Sequence, residues 1–167
     1  MKFDVVPSKE ADLVKSWLKQ DYVAQYFYGT GLKNTLEDLE LFINSEKSQW
    51  THWLAYDGTT PFGYLMTSSI DPSEGECAKY CDSNSVAITL DLLIGDVSYL
   101  GRGLSHRMIQ NFLKQKFSGV TDVFIDPAEE NTKAIHIYEK AGFEKLEQFI
   151  PDWCPIPHML MHLKMKK

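Results

Sequence analysis

Thr89-Leu90-Asp91-Leu92-Leu93-Ile94-Gly95, followed by Leu100-Gly101-Arg102-Gly103-Leu104-Ser105, decides how this chain folds. The first stretch ends a near-continuous apolar segment over 86–94, interrupted by one charge, Asp91. A short apolar run bounded by turn signals reads as a buried strand. Behind the glycines, Leu104, Met108, Ile109, Phe112, Leu113 and Phe117 mark one side of an amphipathic helix. A strand that stops at a glycine loop opening a helix makes an anion site. Free backbone N–H groups point outward there, and the helix dipole adds positive potential. Glycine also lets an anion's oxygens approach the backbone closely. On its own Gly-x-Gly has a second reading, a tight turn that needs glycine. No Lys-Ser/Thr pair follows, which removes the P-loop pattern, and no third glycine stands at the dinucleotide spacing.

Working outward, 120–125 reads as the next strand, ended by Asp126-Pro127. A helix is expected over 131–141 with Gly142 as its left-handed stop, then terminal strands over 143–150 and 158–164. Upstream, 2–6 reads as a first strand closed by Pro7. Ser8 is placed to cap a helix with the apolar stripe Leu13, Val14, Trp17 and Leu18. An aromatic segment (Tyr22, Tyr26, Phe27, Tyr28) leads to Gly29 and Gly31. Thr35 and Asp38 resemble a capping box opening a second helix that buries Leu36, Leu39, Phe42 and Ile43. Strands over 52–56 and 62–70 form a hairpin through Asp57-Gly58, and 71–85 is a long polar loop. This order predicts an α/β (α+β) fold around a mixed sheet. No linker or repeat interrupts it, so one domain is expected over 1–167.

Composition narrows the function. The 167 residues are 44% hydrophobic and 13% aromatic, which is globular composition. Seventeen Lys and Arg against 23 Asp and Glu give a net charge of −6. An acidic chain without a basic stripe does not suit nucleic acid, whose phosphates need neutralising. The same acidity suits a cationic ligand, or simply keeps the protein soluble. The first residues have no signal-peptide core, and no apolar run nears the ~18 residues of a membrane span, so a cytoplasmic protein is expected. Three cysteines, Cys77, Cys81 and Cys154, make no disulfide framework and no zinc pattern. No metal is expected.

Asp126-Pro127, Asn131 and Ala134-Ile135-His136-Ile137-Tyr138-Glu139-Lys140-Ala141-Gly142-Phe143 complete a second motif downstream of the glycine loop. Together the two motifs, over roughly 87–145, resemble the GNAT superfamily of N-acetyltransferases. Within it, the chain is most similar to the aminoglycoside 6′-N-acetyltransferases and related siderophore acetylases, on Leu90-Asp91-Leu92-Leu93, Leu100 to Leu104, Asp126-Pro127, Asn131 and Ile137 to Phe143. Pro151-Asp152 adds a weaker likeness. The chain departs from the common pattern at Ser98, where Arg or Gln is usual, and at Ser105, where many members carry Gly or Ala. The resemblance implies a twisted mixed sheet that splays where acetyl-coenzyme A enters. It places the pyrophosphate on Leu100, Gly101, Arg102, Gly103, Leu104 and Ser105, and the pantetheine arm along Leu92, Leu93 and Ile94. Asn131 either bonds that arm or caps its own helix.

The expected reaction is acetylation of a primary amine on a small polycation, an aminoglycoside at its 6′-amine. A monomer or homodimer is expected. A protonated amine cannot attack a thioester, so a base must take its proton. Asp91, the one ionisable side chain in its strand, fits that role; the other reading is a structural carboxylate paired in the core. Tyr138, a phenol with an ordinary pKa near 10, fits the general acid that serves the leaving thiolate, or packs as a plain aromatic. Asp71, Asp126 and Asp152 are expected at the pocket mouth, facing ammonium groups, and Trp153 is placed to pack or to stack on a sugar. Two alternatives stand beside this one. The acceptor is a siderophore precursor or another small amine, or the chain is a catalytically weak acyl-coenzyme A sensor.

Overall fold

A computed structural model describes residues 1–165; the last two positions of the unit expected over 1–167 lie outside the described residues. In chain order the elements are β1 (Lys2–Val5), α1 (Ala11–Leu18), α2 (Asp21–Ala24), α3 (Gly29–Ile43), β2 (Thr51–Asp57), β3 (Thr60–Ile70), β4 (Ala87–Ile94), α4 (Ser105–Lys116), β5 (Asp122–Ile125), α5 (Thr132–Ala141), β6 (Glu144–Phe149) and β7 (His158–Lys164). The strands form one sheet in the order β1-β2-β3-β4-β5-β7-β6. Every neighbouring pair is antiparallel except β4 with β5. No described helix is long and apolar enough to cross a membrane.

Alternation along each strand sends side chains to two faces. On one face Ile88, Leu90 and Ile94 of β4 meet Met108, Ile109, Phe112 and Leu113 of α4 and Ile135, Tyr138 and Ala141 of α5. On the other, Leu54, Tyr64 and Met66 meet Val14, Trp17 and Leu18 of α1 and Leu39 of α3. Each fully buried Leu, Ile, Phe or Met contributes roughly 1.5–3 kcal/mol, so the apolar stripes of α1 and α4 suffice to dock them. Gly95, at the end of β4, shows how close that docking is. A Cβ there would stand 1.9 Å from the Trp17 ring. The indole occupies the space a side chain would need.

β4 pairs with β3 along its whole length, from Ala87↔Ile70 to Ile94↔Gly63. With β5 it pairs only at Ala87↔Asp122, Ile88↔Val123 and Thr89↔Phe124. Beyond Thr89 the two parallel strands part, and the β5-side edge of 90–94 has no strand partner. Asp122 anchors the closed end. Its buried carboxylate accepts from Thr121 Oγ1 at 2.6 Å, His162 Nε2 at 2.8 Å and Lys164 Nζ at 3.1 Å. Burial alone would raise its pKa, but these hydrogen bonds win and hold it at about 2.

Two expected helix starts are corrected. Ser8 opens a single 3₁₀ turn (Ser8–Glu10) and caps nothing; its hydroxyl donates to Ile43 O at 3.2 Å. Thr35 and Asp38 are interior residues of α3, which begins at Gly29, and both are buried. A cap needs non-helical backbone, and Thr35 has none. The expected boundaries of α5 hold. Asn131 Oδ1 accepts from Ala134 N at 3.1 Å, and Gly142, at φ 107°, ends the helix in the left-handed region.

Candidate active site

Asp91 stands two positions past the last β4–β5 pair, where the strands have begun to part. It is half-buried, and its carboxyl is raised to about 7. Burial is the main cause, the charge of Asp126 adds to it, and His158 works the other way. Asp126 follows the last residue of β5, and His158 opens β7. His158 Nδ1 donates to the Asp126 carbonyl at 2.7 Å and lies 3.2 Å from its Oδ2. Burial opposes a charge on the imidazole, yet Asp126 and the neighbouring Cys154 thiol lift it to about 9. At neutral pH the site therefore holds a buried cation flanked by two carboxyl groups.

Tyr138 reaches the same place from α5. Its helix is set by the Asn131 cap, and Phe143 N donates to Tyr138 O at 3.0 Å just past the Gly142 stop. The phenol is 8% exposed. Burial first, then the charges of Asp91 and Asp126, push its pKa well above 10. Asp91 projects to the α1/α3 face of the sheet and Tyr138 belongs to the core of the other face, so they influence each other across the gap between β4 and β5.

The glycine loop sits at the mouth of that gap. Gly101 and Gly103 have φ of 73° and 65°, values that side-chain-bearing residues rarely adopt. A Cβ at either would meet nothing within 4 Å, so the need is conformational. Ser105 begins α4, whose first N–H groups have no partner in their own helix. Arg102 is exposed, its guanidinium 4.8 Å from the centre of the Tyr99 ring. The fit to a coenzyme A is therefore structural: an unpaired strand edge at Leu92, Leu93 and Ile94, and an open helix N-terminus over Leu100 to Ser105. Asn131 uses its carbonyl oxygen as the cap, which leaves its amide nitrogen as a donor.

Of the three candidate substrate carboxylates, Asp126 is brought to Asp91. Asp152 is exposed on the β6–β7 loop. Its neighbour Trp153 packs edge-on to His158 at 5.1 Å and lies over Gly31 of α3, where a Cβ would come within 3.0 Å of the ring. Asp71 is exposed and accepts from Ser73 N at 2.9 Å. It follows Ile70, which pairs with Ala87, roughly 13 Å along β4 from Asp91 at strand rise. Sequence reading assigned no role to His158, because its partner Asp126 is 32 residues away. It also missed a buried chain from Asp38 through His52 to Tyr64.

A strand that parts from its parallel neighbour beside a glycine-opened helix, with a half-buried carboxyl and a phenol on opposite faces at the gap, matches the arrangement that the sequence resemblance implies. A sequence profile described as "Acetyltransferase (GNAT) domain" matches residues 6–150, and the chain belongs to that family of acetyl-coenzyme A dependent N-acetyltransferases. The chain is 40% identical to a crystal structure of aminoglycoside N(6′)-acetyltransferase from Legionella pneumophila. That match covers 98% of this chain and 91% of the other, with a TM-score of 0.89. It is 28% identical over 139 residues to aminoglycoside N(6′)-acetyltransferase type 1 of Klebsiella pneumoniae, covering 80% of this chain and 68% of that protein. Aminoglycoside acetyltransferase AAC(6′)-Ib, solved with coenzyme A and kanamycin, shares the fold at 22% identity and a TM-score of 0.76, over 98% of this chain and 94% of that one.

Proposed function

We propose that this enzyme acetylates the 6′-amine of an aminoglycoside, with Asp91 as general base and Tyr138 as general acid. One observation carries the assignment of the base: Asp91 is titratable near neutrality at the point where β4 leaves β5. A base whose pKa lies near the working pH is both available and strong enough to take a proton. Acetyl-coenzyme A supplies the acetyl group as an activated thioester. Leu100, Gly101, Arg102, Gly103, Leu104 and Ser105 hold its pyrophosphate, while Leu92, Leu93, Ile94 and Asn131 hold its pantetheine arm. The N–H groups of Leu92 and Ile94, which alternate away from the β3 ladder toward the gap, polarise the thioester carbonyl.

The acceptor arrives as an ammonium ion. Asp126, beside Asp91, and Asp152, on the β6–β7 loop, attract its positive charges, whereas Asp71 lies at the paired end of β4. Asp91 takes the proton from the reacting amine. That transfer removes the negative charge of Asp91, one of the causes that keeps Tyr138 protonated. Tyr138 therefore becomes a stronger acid at the moment a thiolate needs its proton. The two groups act as a coupled pair, each prepared by the state of the other.

Thiol release from acetyl-coenzyme A, measured with kanamycin- and tobramycin-like sugars, a hydroxylated lysine and simple polyamines, tests this reading. Saturable turnover is expected on sugars with a free 6′-amine. Asp91→Asn should lower kcat about 10²–10⁴-fold, and Tyr138→Phe should lower it within the same range without abolishing it. Coenzyme A binding without turnover on any of these sugars overturns the substrate, and full activity of Asp91→Asn overturns the base.

A further inference from the structure

Residues 95–99, which lead from β4 into the glycine loop, are tied to the β2–β3 hairpin by backbone, ring and hydroxyl. Gly95 N and Asp96 N both donate to Phe62 O, at 2.8 and 3.1 Å. The Tyr99 ring stacks on the Phe62 ring, with centroids 4.8 Å apart and planes 20° from parallel. The Tyr99 hydroxyl donates to Asp57 Oδ2, at the end of β2, at 3.1 Å. Phe62 is 1% exposed, so the surface on which Tyr99 rests belongs to the core. The turn that presents Tyr99 is closed as well. Asp96 Oδ1 accepts from Ser98 N at 2.9 Å, and Asp96 O accepts from Tyr99 N at 3.0 Å.

Phe62 takes one face of the Tyr99 ring, and the Arg102 guanidinium takes the other, 4.8 Å from the ring centre. Arg102 stands between the left-handed Gly101 and Gly103 and is exposed. Every ion pair among the described residues is made by a Lys or a His. Asp57, although bonded to the Tyr99 hydroxyl, therefore leaves the guanidinium unpaired. A long side chain free on a surface loses rotamer entropy when a ligand orders it. Here a fixed aromatic face holds the cation beforehand. Stacking uses the face of the guanidinium and leaves its N–H edge for an anion, and that edge meets a phosphate with parallel N–H groups.

We propose that Tyr99, braced by Phe62 and Asp57, is a positioning residue that holds Arg102 as a preformed cation for a phosphate of coenzyme A. The inference rests on the coenzyme A site proposed at Leu100 to Ser105. The backbone N–H groups of that loop supply partial charges only. Arg102 adds a full positive charge at the loop of a protein whose net charge is −6.

The test is calorimetric titration of the full chain with coenzyme A, followed by steady-state kinetics with acetyl-coenzyme A. Arg102→Gln should raise Kd roughly fivefold to fiftyfold and flatten its dependence on salt, with kcat and KM for the amine unchanged. Tyr99→Leu should raise Kd roughly threefold to tenfold. Tyr99→Phe keeps both faces of the ring and should recover most of that loss. In the Arg102→Gln background, Tyr99→Leu should add less than about twofold, because the ring acts through the guanidinium. A loop merely loosened by loss of the ring would lose the same factor in both backgrounds. Titration with 3′-dephospho-coenzyme A identifies the phosphate. A loss in Arg102→Gln that is equal for the two ligands puts the contact on the diphosphate, and one confined to coenzyme A puts it on the 3′-phosphate; either supports the proposal. Undiminished affinity in Arg102→Gln, or equal factors in the two backgrounds, overturns it. Failure of the unaltered protein to bind coenzyme A overturns the underlying site instead, so the two failures are read from different proteins.

Discussion

Asp91 gains its basicity from burial and from the charge of Asp126, and loses part of it to His158. His158 is thus the residue through which the proposed base can be tuned without being touched. Replacing a cation beside a carboxyl by a neutral group destabilises the carboxylate and raises its pKa. His158→Gln should therefore move the acid limb of kcat/KM to higher pH, lowering the rate at pH 7 and leaving it nearly intact at pH 9. A limb that falls, or a loss equal at every pH, contradicts the arrangement described above. The sequence made Asp91 conspicuous because a single charge in an apolar strand demands an explanation. It hid His158, whose significance lies wholly in a contact that the fold creates.

The same contrast holds for secondary-structure elements. α5 was legible because its punctuation is local: the Asn131 side chain reaches its own Ala134 amide, and Gly142 supplies the left-handed stop. α3 was not, because it starts at Gly29 and runs through a Thr-Asp pair that imitates a cap. The real work of Asp38 is across space, on the amides that lead into β2 and on His52. α3 also meets the β6–β7 loop where Trp153 covers Gly31. A methyl group at Gly31 would press on that ring from 3.0 Å, and the half-exposed indole must yield. Gly31→Ala should shift the loop that carries Asp152 and raise KM for the amine roughly twofold to tenfold, about 0.5–1.4 kcal/mol. KM for acetyl-coenzyme A, whose proposed site is the glycine loop and the free edge of β4, should stay unchanged. Steady-state kinetics varying each substrate in turn checks this.

For the molecule as a whole, the site opposes stability. A folded pKa of about 7 at Asp91 exceeds the unfolded value near 3.9. Folding is therefore not penalised by this group below pH ~3.9, and the penalty grows as pH rises to about 7. His158 contributes the reverse: its stabilisation is complete below pH ~6.5 and is lost as pH rises through about 9. Asp91→Asn should consequently raise Tm at pH 8 by about 2–4 °C, on the order of 1 kcal/mol for a chain of this size, and by nothing near pH 4. Thermal denaturation of the two proteins across that range is the check, and a gain that is equal at both ends of it would contradict the assignment.

Three paired positions, 87–89 with 122–124, and the hydrogen bonds of Val86 with Thr121 just before them stitch one half of the sheet to the other. The protein is in effect two leaves, β1 to β4 and β5 with β7 and β6, sewn along a short seam that Asp122 knots at one end. Below it, α4 and α5 press together as a backing across both leaves. A co-substrate lying along the unsewn length adds cohesion as well as reactivity. Saturation at a hundred times Kd adds about 2.7 kcal/mol to whatever binds it only when folded. On the proposed site, the line along which the sheet is least paired is the line that the acetyl donor spans. Cells rich in that donor hold a sturdier enzyme than cells that lack it.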